Sequence, residues 1–375
     1  MHWHHYAKAF FQIFGALSFV TLLPMILSSG LTRLSMRLAH RWGALAIPDE
    51  RSSHTQPTPR IGGVGLVVPV LIFTAALLWI KWLRWNIPFS FVVPSFDWLM
   101  LASLAGGFVT LCFGLWDDVR GMRPHWKLFF QIVAALIPTL MGIALREVYW
   151  VPVPPLLGSA ITVVWLVALM NAYNFMDGMD SLAGMFALIF GFALFLFLFF
   201  NDPSVWMYLL PLMFICCVVG FLSYNLTPAR TFMGDCGSQT LGYLLGLWTL
   251  AFAGGIHLNR SIRLLDPLTV IVLLLPFLYD VSFTLVRRAR RGENLLQPHR
   301  SHLYQRLLIL GYSHKQVLRV QVGLAIVCVA LGLLMTNVRQ YDLLFWVLAG
   351  LAFALEIGYT LVVMRLERKR ADRAR

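Results

Sequence analysis

Eleven apolar runs, each long enough to cross a bilayer as a helix, account for most of the 375-residue chain. They lie near residues 9–28, 63–82, 98–115, 128–146, 155–173, 181–200, 205–223, 237–256, 267–287, 316–336 and 343–364. Only 13% of the residues are charged, against about 25% in a typical soluble domain. We therefore expect an all-α polytopic integral membrane protein with about 11 transmembrane helices, in which residues 1–375 form a single domain.

The distribution of Lys and Arg predicts the orientation of these helices. The loop after the first run, the other loops on its side and the C-terminal tail hold 22 of these residues, whereas the opposite side holds 7. Because cytoplasmic loops carry an excess of Lys and Arg, we expect a periplasmic N-terminus and a cytoplasmic C-terminus. Residues 365–375 then form a basic cytoplasmic tail. This bias explains most of the net charge of +13, so no nucleic-acid partner is needed.

Acidic residues concentrate on the predicted cytoplasmic side, and two of them lie in residues 171–184 between two apolar runs. Asn174, Asp177 and Asp180 are three residues apart and share one face if the second helix begins at this break. Acids are costly in hydrocarbon and are rarely placed near it without a function. This segment therefore predicts a polar site at the membrane surface.

Two more inner segments carry carboxylates. Asp117 and Asp118 are adjacent, and such a pair needs a cation or a proton between its members unless it is a solvated helix end. Asp235 lies between two glycines, which leave room around its carboxylate. A helix starting after Ser238 would point free N–H groups at an anion, unless Ser238 is an ordinary helix cap.

Two basic inner segments complete the set. Residues 48–63 end in Gly62 and Gly63, which open the next apolar run and allow a close backbone approach. Residues 287–302 are rich in Arg and His. Each can be read as a surface loop or a topology signal, but Arg and His facing acids also suit a phosphate ligand bound with a metal. The candidate side chains are His54, Arg60, Arg300 and His302.

The ligand types favour one class of metal and one class of chemistry. The five cysteines show no zinc-binding spacing, and the candidate ligands are carboxylates. Hard oxygen ligands favour Mg²⁺ or Mn²⁺ over zinc, and such a metal with phosphate-binding cations indicates phosphoryl transfer. The alternative is a polytopic secondary transporter with an acidic site on the cytoplasmic face. Transporters, however, place their substrate site near the midplane of the bilayer.

Five ordered motifs between about residues 48 and 306 resemble the polyprenyl-phosphate N-acetylhexosamine-1-phosphate transferases of the MraY/WecA type. The motifs are Pro57-Thr-Pro-Arg-Ile-Gly-Gly63, Asp117-Asp118, Asn171-Ala-Tyr-Asn-Phe-Met-Asp-Gly-Met-Asp180, Gly234-Asp-Cys-Gly-Ser238 and the Arg-rich loop ending in His302. The resemblance implies a Mg²⁺-dependent enzyme of the bacterial inner membrane, with its active site on the cytoplasmic face. It would transfer a sugar 1-phosphate from a UDP–N-acetyl sugar to undecaprenyl phosphate and release UMP.

The resemblance also implies roles for individual residues. Asp235 would be a metal ligand, and Asp118 a partner of the metal or the nucleotide. Asp117 would engage or deprotonate the lipid phosphate. Contacts with nucleotide, phosphate or sugar are implied for the remaining candidates, which are Asn174, Asp177, Asp180, Arg60, His54, Arg300 and His302.

The last motif departs from part of the family. Members that act in peptidoglycan or enterobacterial antigen synthesis carry two or three clustered histidines there, whereas residues 302–305 keep only His302. This argues against a muramoyl-pentapeptide substrate and resembles the WbpL-like subgroup, which initiates O-antigen and lipopolysaccharide synthesis. That subgroup implies UDP-N-acetylglucosamine, or a 6-deoxy sugar such as UDP-N-acetylfucosamine. A homodimer is left open.

Overall fold

The computed structural model describes residues 2–48, 56–83, 94–149, 151–201, 205–255, 265–295, 297 and 299–373. The helices in these residues are α1 His2–Trp42, α2 Gly63–Trp82, α3 Pro94–Arg120, α4 Pro124–Leu140, α5 Pro155–Met176, α6 Leu182–Asn201, α7 Val205–Asn225, α8 Gly234–Leu250, α9 Pro267–Leu273, α10 Leu275–Arg290, α11 Leu303–Ile309, α12 His314–Val338 and α13 Asp342–Arg373. A π-helical turn, Ala251–Gly255, continues α8. The two short antiparallel hairpins pair β1 Leu45–Ala46 with β2 Thr58–Pro59, and β3 Glu147–Val148 with β4 Val151–Pro152.

The structure confirms a helical, polytopic architecture. Within the described residues, eight helices are long and apolar enough to cross a membrane: Ser18–Trp42, Gly63–Trp82, Phe96–Arg120, Pro155–Met176, Leu182–Asn201, Trp206–Asn225, His314–Val338 and Asp342–Arg373. The bent pair α9 and α10 forms a ninth candidate. Helices α4 and α8 have only 17 residues each, so the total of eleven stays a prediction, as does the orientation.

Two predicted boundaries were wrong. Helix α1 continues to Trp42, well beyond residue 28, so Arg33 and Arg37 lie on a helix and not in a loop. The predicted single span 267–287 is bent by 82° where α9 meets α10. Pro276, in the first turn of α10, cannot donate a backbone hydrogen bond and crowds the preceding turn, which explains the break.

Helix α8 forms the centre of the molecule. Its residues from Cys236 to Leu250 are buried, and it packs against α2, α3, α5 and α6. The Tyr243 hydroxyl donates to the Ala102 carbonyl at 2.8 Å, and Trp248 Nε1 donates to Ser103 Oγ at 2.9 Å. These bonds fix α8 against α3, and thereby fix the carboxylates at the ends of both helices relative to each other.

The start of α2 packs directly on the start of α8. A Cβ on Gly63 would lie 2.4 Å from Gly237 Cα, so the two backbones touch. Gly62 N donates to the Phe232 carbonyl at 2.9 Å, and Gly63 N donates to the Met233 carbonyl at 2.8 Å. The predicted close approach at these glycines is confirmed.

Candidate active site

The two adjacent carboxylates at the end of α3 have different environments. Asp118 is buried, with Oδ1 accepting from the Asp235 backbone N–H at 3.0 Å and Oδ2 from the Cys236 backbone N–H at 2.9 Å. These N–H groups belong to the first turn of α8, where they have no partner within the helix. Asp118 therefore caps α8, and its negative charge lies at the positive end of the helix dipole.

Arg60 compensates the charge of Asp118. Its Nε and Nη2 lie 3.2 and 3.1 Å from Asp118 Oδ1. Arg60 follows β2, and its backbone N–H donates to the Ala44 carbonyl at 3.0 Å. The hairpin after α1 thus holds Arg60 over the Asp118 carboxylate.

The start of α8 differs from the expectation. The helix begins at Gly234, so Ser238 lies inside it and caps nothing. The free N–H groups do point at an anion, as expected of a helix start, but the anion is the protein's own Asp118. Gly234 makes this contact feasible because it has a φ of +69° and its Cα has no side chain facing Arg60.

A matched pair of glycine variants tests this packing. Gly43 has the same φ of +69°, but a Cβ there would meet nothing within 4 Å, whereas on Gly234 it would lie 1.9 Å from the Arg60 carbonyl oxygen. Gly43→Ala should cost about 1 kcal/mol of stability through backbone strain alone. Gly234→Ala should cost about 2 kcal/mol more, because the backbone must move. Equal losses in denaturant unfolding of the two variants would contradict the packing.

Lys127 links the remaining carboxylates. Its Nζ lies 3.0 Å from Asp117 Oδ2 and also contacts Asp235 Oδ2. Asp117 is fixed further by the Met122 backbone N–H, which donates to Oδ1 at 2.7 Å. Two acids from α3 and α8 therefore share one ammonium group from α4.

Asn174 connects the 171–184 segment to this cluster. Its Nδ2 donates to Asp235 Oδ1 at 2.8 Å and lies 3.2 Å from Ser238 Oγ. One turn earlier, Asn171 Nδ2 donates to Gln131 Oε1 at 2.9 Å, and Gln131 Nε2 donates to Gln239 Oε1 at 2.9 Å. This amide network fixes α4, α5 and α8 against one another beneath the carboxylates.

Asp177 and Asp180 do not share a face, because α5 ends at Met176 and α6 begins at Leu182. The pKa of Asp177 is raised well above its usual value by burial and by the charges of Asp235 and Asp118. Asp180 instead accepts from the Ala229 backbone N–H at 3.0 Å. Asp180 and the 227–230 loop line a separate groove of ≈ 780 Å³. The expectation of one shared helix face was wrong.

Asp280 on α10 contacts the loop that contains His299 and His302. His302 Nδ1 lies 3.1 Å from Asp280 Oδ1, which also accepts from the Leu303 backbone N–H at 2.9 Å. Asp280 thus caps α11 as Asp118 caps α8, and it orients the imidazole. The His299 ring lies 4.9 Å from that of His302, and burial is the main cause that lowers the pKa of His299 to about 4. The two histidines therefore form a pair in space.

Helix α11 contacts the 171–184 segment. The Tyr304 hydroxyl donates to the Phe175 carbonyl at 3.2 Å, and a Cβ on Gly178 would lie 2.3 Å from that hydroxyl. Arg300, half-buried, precedes this helix between the paired histidines in the chain. The structure therefore brings together residues from all five predicted segments, while His54 lies outside the described residues.

Comparisons with known proteins identify the family. Residues 100–253 match the family described as glycosyl transferase family 4, a range that includes Asp117, Asn174 and Asp235. The chain is 32% identical over 326 residues to decaprenyl-phosphate N-acetylglucosaminephosphotransferase of Mycolicibacterium smegmatis, covering 80% of this chain and 77% of that protein. The chain belongs to this family.

Two other relatives are named for different substrates. The probable undecaprenyl-phosphate N-acetylglucosaminyl 1-phosphate transferase of Bacillus subtilis is 27% identical, with 79% of this chain and 77% of that protein covered. A phospho-N-acetylmuramoyl-pentapeptide-transferase of a Synechococcus strain is 30% identical, with 73% and 78% covered. The names of these relatives describe transfer of a phosphosugar. Similarity to such enzymes is not expected of a secondary transporter.

The family resemblance implies Mg²⁺, and two side chains fit it. Within the described residues, no three Asp, Glu, His or Cys side chains converge as ligands of one ion. Mg²⁺ commonly needs only one or two carboxylates, with water and substrate phosphates completing its shell. Asp117 and Asp235 meet that requirement because both contact one cation, Lys127. Asp118 is less suited because each of its oxygens already accepts a backbone N–H.

Two residues of the candidate site, Lys127 and Gln131, were not predicted from the sequence. Lys127 contributes to the 22 Lys and Arg residues that predict the orientation, and it is the single Lys among the Arg residues near Asp117. That isolated Lys, nine residues after the Asp117-Asp118 pair, was the available signal. Gln131, one turn later on α4, gave no signal of its own because its partners come from α5 and α8.

Proposed function

We propose that this chain transfers N-acetylhexosamine 1-phosphate from a UDP-sugar to undecaprenyl phosphate and releases UMP. The observation that carries the proposal is the Lys127 ammonium held between Asp117 and Asp235 at one end of a bundle of apolar helices. Carboxylates that can hold a metal, with a cation between them, suit the binding of two phosphates, one on a lipid and one on a soluble donor. The relative from Mycolicibacterium smegmatis supports the same lipid and sugar classes.

The proposed reaction is a direct displacement at phosphorus. An oxygen of the lipid phosphate bonds to the β-phosphorus of the UDP-sugar, and the bond from that phosphorus to the bridging oxygen breaks. UMP leaves with the electron pair, and the sugar phosphate stays on the lipid as a pyrophosphate. Since a phosphate oxygen is already a nucleophile near neutral pH, the protein contributes mainly placement and charge neutralisation.

We assign roles from the contacts of each side chain. Asp117 and Lys127 position the lipid phosphate, and Asn174 orients the Asp235 carboxylate. Asp235 and Asp117 would hold Mg²⁺, which supplies charge neutralisation at the phosphates when bound. Asp118 acts as a positioning residue because it fixes the start of α8.

We assign the remaining candidates to the binding of the donor or to its support. Asp177 follows the last residue of α5 and is three residues after Asn174, so we assign it to the nucleotide or pyrophosphate side. His302 and Arg300 suit phosphate or sugar contacts, and Asp280 sets the tautomer of His302 by accepting from Nδ1. Asp180 supports the loop at Ala229 and need not touch substrate.

A phosphorylated aspartate is the mechanistic alternative. Asp117 would then attack the donor before the lipid arrives. Direct attack is favoured because Asp117 is already paired with Lys127 and the Met122 N–H, which lower its nucleophilicity. A stoichiometric burst of UMP from enzyme and UDP-sugar without lipid would contradict direct attack.

We infer N-acetylglucosamine as the first sugar to test, with 6-deoxy sugars such as N-acetylfucosamine next. Two relatives are named for N-acetylglucosamine, and the His299–His302 pair lacks the longer histidine run expected for a muramoyl-pentapeptide donor. Initiation of an O-antigen type glycan at the cytoplasmic face of the inner membrane is the role that fits this choice and the excess of Lys and Arg.

A reconstituted assay tests the function. Purified protein is mixed with undecaprenyl phosphate, Mg²⁺ and a panel of UDP–N-acetyl sugars, and UMP is measured. We expect lipid-dependent UMP release with at least one sugar. UMP from none of them, together with uptake of a labelled sugar into proteoliposomes, would favour the transporter.

Lys127→Met tests the bridging cation. Removal of the ammonium leaves Asp117 and Asp235 facing each other without compensation and removes a phosphate contact. We expect turnover about 100-fold lower, with the fold retained. Lys369→Met, on the exposed tail of α13, is the matched control and should keep full activity. Wild-type turnover in Lys127→Met would remove Lys127 from the site.

A further inference from the structure

A second concave site lies where the ends of α10 and α13 meet α11. It has a volume of ≈ 710 Å³, and none of the carboxylates of the active site lines it. Its lining includes one acid, Glu367, and five arginines, namely Arg287, Arg290, Arg291, Arg306 and Arg368. We refer to it as the arginine pocket. Its excess of positive charge calls for an anion.

Two of these arginines have buried nitrogens without an acceptor. Arg306 is 6% exposed, and its Nε and Nη2 bind Glu367 while Nη1 is buried without a hydrogen-bond partner among the described residues. Arg287 Nε and Nη1 are in the same condition. Buried charged donors rarely stay unpaired, because the lost hydration is not replaced. Both side chains line the pocket, so an anion bound there would give these nitrogens an acceptor once the guanidinium groups turn toward it.

Apart from Ser282 and the Tyr279 hydroxyl, the rest of the pocket is apolar, which narrows the class of anion. Phe283 and Val286 on α10 and Met364 on α13 form its wall, and Val286 is 49% exposed. A small soluble anion would leave this wall uncovered. A molecule with a phosphate head and a hydrocarbon chain would cover both surfaces.

The location fits a lipid as well. Arg306 lies one turn after His302 on α11, with its N–H donating to the His302 carbonyl at 2.9 Å. The pocket is therefore at the same end of the helix bundle as the active site, where the apolar helices end and Arg residues begin. Phospholipid head groups lie at this depth.

We propose that the arginine pocket binds the phosphate head group of an anionic phospholipid, with Arg287 and Arg306 as hydrogen-bond donors. One hydrocarbon chain lies along Phe283 and Val286. This site is separate from the one that would accept undecaprenyl phosphate, so the two proposals stand or fall independently.

Retention of phosphatidylglycerol tests the proposal. The full chain is placed in phosphatidylcholine nanodiscs that contain phosphatidylglycerol. The protein is then released from the nanodiscs in the mass spectrometer, and the phosphatidylglycerol molecules that stay bound to it are counted by native mass spectrometry. Arg287→Gln/Arg290→Gln should weaken retention about tenfold. Arg37→Gln/Arg41→Gln, on the exposed side of α1, is the matched control and should retain as much as the wild type. Equal retention, or equal loss, in the two double variants would overturn the proposal.

A second variant and a competitor complete the test. Arg290→Gln/Arg368→Gln changes only exposed side chains, so it gives a readable result even if the first double variant folds poorly. It should also lose phosphatidylglycerol, and unchanged retention there would count against the pocket. Millimolar inorganic phosphate should not displace the lipid. Displacement by phosphate alone would assign the pocket to a free anion and overturn the lipid.

Discussion

Asp235→Asn is expected to lower turnover by at least about 1,000-fold while the protein remains folded. The Asp235 carboxylate contacts Lys127 through one oxygen and accepts from Asn174 through the other, at 2.8 Å. Asn keeps the size of the side chain but removes the charge that would hold both the ammonium and a metal. The measurement is UMP release at saturating donor and lipid acceptor.

The control for this variant is Asp372→Asn on the exposed end of α13, which should leave turnover unchanged. Thermal unfolding of Asp235→Asn should stay close to that of the wild type, because Asp117 remains to pair with Lys127. Turnover within about tenfold of the wild type would show that the reaction does not need the Asp235 charge.

Asp118→Asn is expected to have the largest effect on stability, at about 4 kcal/mol. The Asn amide has one oxygen and one NH₂ group in place of the two carboxylate oxygens. Its NH₂ group would face the backbone N–H of Asp235 or Cys236, so one of these donors would lose its acceptor. It would also leave the Arg60 guanidinium without its counter-charge. The free energy of unfolding of the detergent-solubilised protein in denaturant measures this loss.

Asp117→Asn is the matched comparison, because Asp117 is less buried than Asp118 and caps no helix. It should lose turnover yet change the free energy of unfolding by less than about 1 kcal/mol. A larger loss of stability in Asp117→Asn than in Asp118→Asn would reverse the assignment of the two roles.

Much of the architecture follows from local sequence. The apolar runs predict the helices because the bilayer fixes their length, and Gly62 and Gly63 predict a close backbone contact because they lack side chains. Asp117, Asn174 and Asp235 could be expected to converge because each lies at an end of a run on one predicted side. The structure confirms that they meet.

Other features depend on partners that the local pattern does not reveal. The contacts of Asp118 with the start of α8 come from a helix over a hundred residues away, so its role as a cap has no local signal. The separation of Asp180 from Asn174 follows from the end of α5 at Met176 and from the Ala229 N–H that draws it away. The bend before α10 was signalled only by Pro276.

Transfer of labelled phosphorus is the sharpest test of sugar 1-phosphate transfer. The purified protein is incubated with undecaprenyl phosphate, Mg²⁺ and UDP-N-acetylglucosamine carrying ³²P at the β-phosphorus, and the lipid is extracted. We expect the label in the lipid fraction in proportion to the UMP released. Sugar carbon in the lipid without the phosphorus label, with UDP as the product, would contradict the proposed reaction.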